Sequence, residues 1–203
     1  MKVLAFDLST RQGSIALVRK GEGSSGGLLQ EREWPNDRRN SGPFFSALDE
    51  IIDVHGPPHL VVVGLGPGSY TGTRIAISAA IGLEMACKLR LCGLPSICAM
   101  SRENDFVVIG DAKRASCFFG RISQSKIAGE FELLSETEMS CRINETTVPI
   151  YTADDLPQFD RAQRRYPRAE LLCLLAQPEE NLVRLPLEPI YLRAPHITSP
   201  ASK

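Results

Sequence analysis

The sequence predicts an α/β protein built from two related lobes. Three observations predict it. Residues 3–6 and 106–109 are short apolar runs, and each passes through an aspartate-containing turn into a second apolar run that pairs back on it. Leu60, Val61, Val62 and Val63 form a run without alternation, as in a strand buried on both faces. Helical patterns alternate with these strands. The chain has 203 residues, enough for one large domain or two small lobes. The expected division is a first lobe over 1–100 and a reduced second lobe over 101–203 ending in a disordered tail.

Each element follows in order. Val3 to Phe6 reads as a buried strand, Asp7 to Gly13 supplies turn formers, and Ser14 to Val18 is the returning strand. Residues 21–27 are a glycine- and serine-rich turn, and 28–34 a third strand. Ser41 is placed to cap a helix whose first turn holds Pro43. Phe44, Phe45, Leu48, Ile51 and Ile52 share one face of that helix, and Gly56-Pro57-Pro58 ends it. After the strand 60–63 comes Gly64-Leu65-Gly66-Pro67-Gly68-Ser69-Tyr70-Thr71-Gly72, then a helix over 71–88. Its Gly72, Ala76, Ala79, Ala80, Leu83 and Ala86 recur every three or four residues and are mostly small, which lets helix axes approach closely. Residues 89–94 read as a strand closed by Pro95. In the second half, 106–109 and 116–122 make a hairpin, 131–134 and 148–151 are weak strands, and 170–176 is a short helix.

Bulk numbers narrow the function. With 23 basic and 24 acidic side chains the net charge is -1, too low for a chain that grips nucleic acid through many phosphates, so RNA is expected to be handled by a partner. The six cysteines form no C-x-x-C pair and mostly sit in apolar runs, as reduced structural thiols do. Four apolar residues before Asp7 are too few for a signal peptide, and no run approaches a membrane span.

The glycine loop invites a phosphate reading but lacks the pattern for it. No lysine completes a P-loop, and Ser69 stands where a dinucleotide fingerprint needs its third glycine. The better reading is a turn whose glycines supply positive φ and clearance for a neighbouring backbone, with Ser69 and Thr71 as helix caps. His55 and His59 are four apart, but Gly56, Pro57 and Pro58 between them break the helix a metal pair needs. Asp7 and Asp111 each end a strand, and an Asx turn accounts for both. With three histidines in all, no Ser/His/Asp triad can be argued, so no catalytic or metal-ligating residue is assigned.

Asp7-Leu8-Ser9-Thr10, Gly13 to Leu17, Gly66-Pro67-Gly68-Ser69-Tyr70-Thr71-Gly72-Thr73-Arg74-Ile75 and Glu188-Pro189-Ile190-Tyr191-Leu192-Arg193 resemble the TsaB (YeaZ) family. The match is clear over 1–100, fades over 123–185 and returns at the C-terminal motif. The resemblance implies an actin/Hsp70-like (ASKHA, ribonuclease H-like) fold with a reduced second lobe. It implies a cytoplasmic, non-catalytic subunit without cofactor that acts in threonylcarbamoyladenosine modification of ANN-decoding tRNAs. Its implied partners are a TsaD-like protein and a TsaE-like ATPase, with tRNA reached through that complex, or a second copy of itself as a homodimer. The family's first two helices pack against the partner, and they correspond here to 43–54 and 71–88. Phe44, Leu48, Gly72, Ala76, Ala79, Ala80 and Leu83 are the expected contact seam. The rival expectations are a nucleotide-binding ATPase using Asp7, the glycine loop and Asp111, and an M22-type metallopeptidase, for which the chain lacks the two placed histidines.

Overall fold

A computed structural model describes residues 1–21, 27–36, 41–176 and 187–192. Residues 22–26 of the turn expected over 21–27, residues 37–40 of the loop before the first helix, Arg193 and the tail beyond it lie outside the described residues.

Two sheets organise the chain. The first comprises β1 (Lys2–Asp7), β2 (Gln12–Arg19), β3 (Gly27–Pro35), β4 (Leu60–Gly64) and β5 (Arg90–Leu94), in the order β3-β2-β1-β4-β5. Two helices belong to it, α1 (Gly42–His55) between β3 and β4 and α2 (Tyr70–Cys87) between β4 and β5. The second sheet holds β6 (Asp105–Asp111), β7 (Cys117–Ser123), β8 (Lys126–Ile127), β9 (Glu132–Leu134), β10 (Ile150–Thr152) and β11 (Ala162–Arg164). Helix α3 (Glu136–Glu145) lies between β9 and β10, and α4 (Ala169–Leu175) follows β11.

The sheets share one plan. In each, an antiparallel hairpin (β1–β2, β6–β7) carries further antiparallel pairing on one side (β3 on β2; β8 and β9 on β7) and two parallel strands on the other. In both, a helix enters between the antiparallel strands and the first added parallel strand, α1 between β3 and β4 and α3 between β9 and β10. The second sheet has no counterpart of α2: a short loop joins β10 to β11. The expected pair of αβ lobes with a reduced second member is therefore present, and the missing helix is the reduction.

The first sheet is covered on both faces, which is why Leu60 to Val63 do not alternate. Leu4, Phe6, Ile15, Leu17, Val61 and Val63 face α1 and α2. Val3, Ala5, Ala16, Val18, Leu60 and Val62 face α4, which returns from the far end of the chain with Leu171, Leu172 and Cys173. Four cysteines, Cys92, Cys98, Cys117 and Cys173, are buried and all six are free thiols. Burial pushes the Cys92 thiol up to about 11 and those of Cys98 and Cys173 to about 12, so none of these three is a thiolate near neutral pH.

Helix ends follow partly from sequence. Ser69 caps α2 by accepting the Gly72 N–H at 3.2 Å. Thr71 lies inside the helix and does not cap it. Ser41 occupies the α1 cap position with helical φ/ψ and no side-chain capping bond, so Pro43 starts that helix without a hydroxyl cap.

The centre of the small stripe of α2 lies inward, whereas Ala86 is exposed. Ala76 and Ala80 have no exposed surface and pack in the same cluster as Leu4, Phe6 and Val63. They set the distance between helix and sheet, not between two helices. Ala80→Leu is accordingly expected to overpack this chain's own core and cost about 1–3 kcal/mol. Urea unfolding reads that loss directly, and an unchanged midpoint would mean the helix can slide outward.

Candidate functional site

The glycine loop meets the β1–β2 turn. Asp7 ends β1 fully buried, and its Oδ1 accepts the Ser9 N–H at 2.9 Å and the Ser9 hydroxyl at 2.7 Å. Asp111 ends β6 likewise, accepting the Lys113 N–H at 2.7 Å and pairing with the Lys113 ammonium. Both are Asx turns, as expected. Thr10 Oγ1 donates to the Gln12 carbonyl at 2.9 Å and closes the same turn.

The loop's amides are turned to the protein. Ser69 N–H donates to the Ser9 carbonyl at 2.6 Å, Gly66 N–H to Ser96 Oγ at 2.8 Å, and Gly72 N–H to the Ser69 hydroxyl. Gly66 has φ +87° and precedes Pro67 through a cis peptide. A Cβ on Gly68 would lie 2.1 Å from the Ser9 carbonyl oxygen, and one on Gly72 1.9 Å from that of Leu8. The glycines give positive φ at one position and backbone clearance at two others. Three N–H groups consumed internally leave little of a phosphate cradle.

Asp7 carries one unusual feature. Its Oδ2 makes no hydrogen bond of good geometry, although the Ser96 hydroxyl lies close enough to act on the carboxyl. Burial raises the carboxyl above the usual carboxylate range, against the opposing effect of the Ser96 and Ser9 hydroxyls.

The two histidines bond to different neighbours. His55 Nε2 lies 3.0 Å from Gln30 Oε1, while His59 Nδ1 accepts the Lys2 N–H at 3.0 Å. Among the described residues, no group of three or more His, Cys, Asp or Glu side chains is placed to hold a metal ion.

The contact seam expected from sequence needs correcting. Phe44, Leu48, Ala76 and Ala80 are buried in the chain's own core, and Gly72 abuts Leu8. No partner can touch Phe44, Ala76 or Ala80 while the sheet holds them. Ala79 and Leu83 remain on the shoulder of α2, half-buried. What α1 and α2 turn outward is a different set. Phe45 is 46% exposed, Tyr70 51%, Val54 67% and Met85 78%. Phe45, Tyr70, Thr71, Arg74, Ile75, Ser78 and Ala79 line a groove of about 500 Å³ between the helices. Over 18 residues α2 carries only two charges, Arg74 and Glu84. A solvated helix face usually carries more.

One end of the groove is closed by residues that sequence separation had hidden. Arg74 lies 3.9 Å over the Tyr70 ring, and its Nε donates to Tyr191 Oη at 3.1 Å. The Tyr70 and Tyr191 rings are 5.7 Å apart. The segment that carries Tyr191 is anchored at several points. Leu187 is buried in the first-sheet core, Ile190 N–H donates to the Leu65 carbonyl at 2.8 Å, and Leu192 packs in a second-sheet cluster.

Comparisons with known proteins agree with this architecture. The tRNA threonylcarbamoyladenosine biosynthesis protein TsaB of Haemophilus influenzae is 26% identical over 95% of this chain and 94% of its own length. The protein of the same name from Escherichia coli is 28% identical over 50% of this chain and 43% of its own. A solved Pseudomonas aeruginosa structure, described by its similarity to the peptidase YEAZ, superposes with a TM-score of 0.69 at 20% identity, covering 95% of this chain and 99% of that one. YeaZ from the same organism gives a TM-score of 0.63 at 22% identity over 84% of this chain and 88% of its own. No family model matches the chain. The two-sheet plan and these likenesses give the fold as actin/Hsp70-like with a reduced second lobe.

Proposed function

The chain belongs to the TsaB (YeaZ) family, and from that premise we propose that it is a non-catalytic docking subunit in the threonylcarbamoyladenosine modification of tRNA. Its partner in this reading is a TsaD-like protein, with a TsaE-like ATPase joining the complex and tRNA reached through them. In this reading the compartment is the cytoplasm, as the family resemblance implies.

The observation that carries the reading is the outer face of α1 and α2. Their inner faces are spent on the first sheet, and α4 covers the opposite face of that sheet. Nothing among the described residues lies across the groove, and its lining is apolar or small apart from Arg74. An apolar face of this kind is costly in water and is relieved by a protein partner. The buried thiols, the separated histidines and the internally bonded glycine loop support a role without chemistry of its own. Docking favours the enzyme's active form only if it binds that form better than others.

Two measurements test this. Phe45→Asp, a change at an exposed position, is expected to weaken capture of the purified TsaD-type partner by about 30-fold, as loss of a central aromatic contact does. Reconstituted tRNA modification should collapse when this subunit is omitted. Full modification in its absence would remove the subunit role, and undiminished capture by Phe45→Asp would move the docking face elsewhere.

A further inference from the structure

We propose that Arg74 is the specificity anchor of this docking face, held ready by an aromatic clamp to receive a carboxylate from a partner helix. The proposal rests on the docking role above. Two contacts fix the side chain, and the rings that make them lie close together. Its guanidinium carbon lies 3.9 Å from the Tyr70 ring centre, its Nε donates to Tyr191 Oη at 3.1 Å, and the two rings lie 5.7 Å apart. Tyr191 is itself immobilised, because Ile190 is bonded to Leu65 and Leu192 is packed into the second-sheet core. With Nε occupied, the two terminal nitrogens are the donors left, and they form the fork that matches a carboxylate.

Arg74 is the one charged residue lining the groove, and no carboxylate lies there to neutralise it. Every ion pair among the described residues involves other arginines or a lysine. The groove otherwise offers Phe45, Ile75 and Ala79, which suit an apolar side chain. The complementary ligand is therefore a helix that presents an Asp or Glu one turn from an apolar residue. Prior ordering of the clamp means little side-chain entropy is lost on binding. A contact of this kind contributes mainly to choice of partner.

The test compares Arg74→Gln, Arg74→Lys, Tyr191→Phe and Phe45→Asp with the parent chain. Binding to the purified TsaD-type partner is measured by titration calorimetry at low and high salt. Because Arg74 and Phe45 are exposed, unchanged melting curves accompany their variants if the proposal holds. Arg74→Gln should weaken binding about 10-fold or more and abolish its salt sensitivity. Arg74→Lys should recover only part, since an ammonium cannot fork. Tyr191→Phe keeps the ring and loses the hydroxyl, and should weaken binding several-fold with the salt dependence retained. Parent-like binding by Arg74→Gln beside a defective Phe45→Asp overturns the anchor and leaves the docking face standing. Parent-like binding by both overturns the two together. Full activity of Arg74→Lys refutes the forked geometry. If Arg74→Gln spares protein binding but lowers the complex's affinity for tRNA, the anion is a phosphate and the carboxylate assignment fails.

Discussion

Gly72→Ala is expected to lower the melting temperature by roughly 6–12 °C, taking about 3 kcal/mol for the overpacking and the scaling for a domain of this length. The added methyl group would sit 1.9 Å from the Leu8 carbonyl oxygen and 3.0 Å from its carbon. These are backbone atoms of a turn whose position is already fixed. Ser9, next in line, donates to Asp7 and accepts from Ser69. Neither side can yield without breaking one of those bonds, so the first turn of α2 must lift from the sheet. Gly82→Ala in the same helix is the control. Nothing lies within 4 Å of its new Cβ, and it should be neutral or stabilising by about 0.5–1 kcal/mol through helix propensity. Equal effects of the two changes, read by differential scanning calorimetry, would mean that contact with Leu8 is not what excludes a side chain at position 72.

Asp7→Asn is expected to raise stability at neutral pH, by about 1–3 kcal/mol, the usual cost of a buried polar atom left without a partner. Asp7 is fully buried, its Oδ2 makes no hydrogen bond of good geometry, and burial raises its carboxyl above the ordinary value. The sign follows from linkage. The unfolded chain gives up this proton more readily than the folded one, so unfolding releases a proton and stability falls as pH rises from the ordinary Asp value toward the folded one. Asn keeps the acceptor that Ser9 uses and puts an amide donor where Oδ2 stands, beside the Ser96 hydroxyl. The variant should be most favoured above the folded pKa and lose its advantage in acid, where both side chains are neutral. Chemical denaturation across a pH series reads the crossing. A variant less stable than the parent at pH 7 would show that the Ser96 hydroxyl satisfies the carboxylate.

Much of the fold is legible in the residues themselves, and the exceptions have physical causes. Leu60 to Val63 declare a doubly covered strand because both faces carry core. Helix α1 is readable from its spacing, although Phe45, counted on the apolar face, turns to solvent. The α2 stripe is legible as close packing, yet sequence does not say which neighbour is close. A sheet demands small residues as strongly as a second helix does, and here the sheet claims them. Helix α3 escapes periodicity because only Met139 and Ile143 are buried along it. Its signal lay elsewhere: Ser135 and Glu138 form a reciprocal capping box that the spacing S-x-x-E announces. Strands β8 and β11 have two and three residues, below the length at which alternation means anything. The Arg74–Tyr191 contact spans 117 positions, and no local pattern can announce it.

Helix α4 also bears on how the molecule comes into being. Val3, Ala5, Ala16 and Val18 are covered by Ala169, Leu171, Leu172 and Cys173, more than 150 positions later in the chain. A ribosome that has released the first sheet but not yet α4 therefore displays a sheet with one greasy side bare, for the several seconds that translation of the intervening residues takes. For that interval the nascent chain is a natural client for a chaperone.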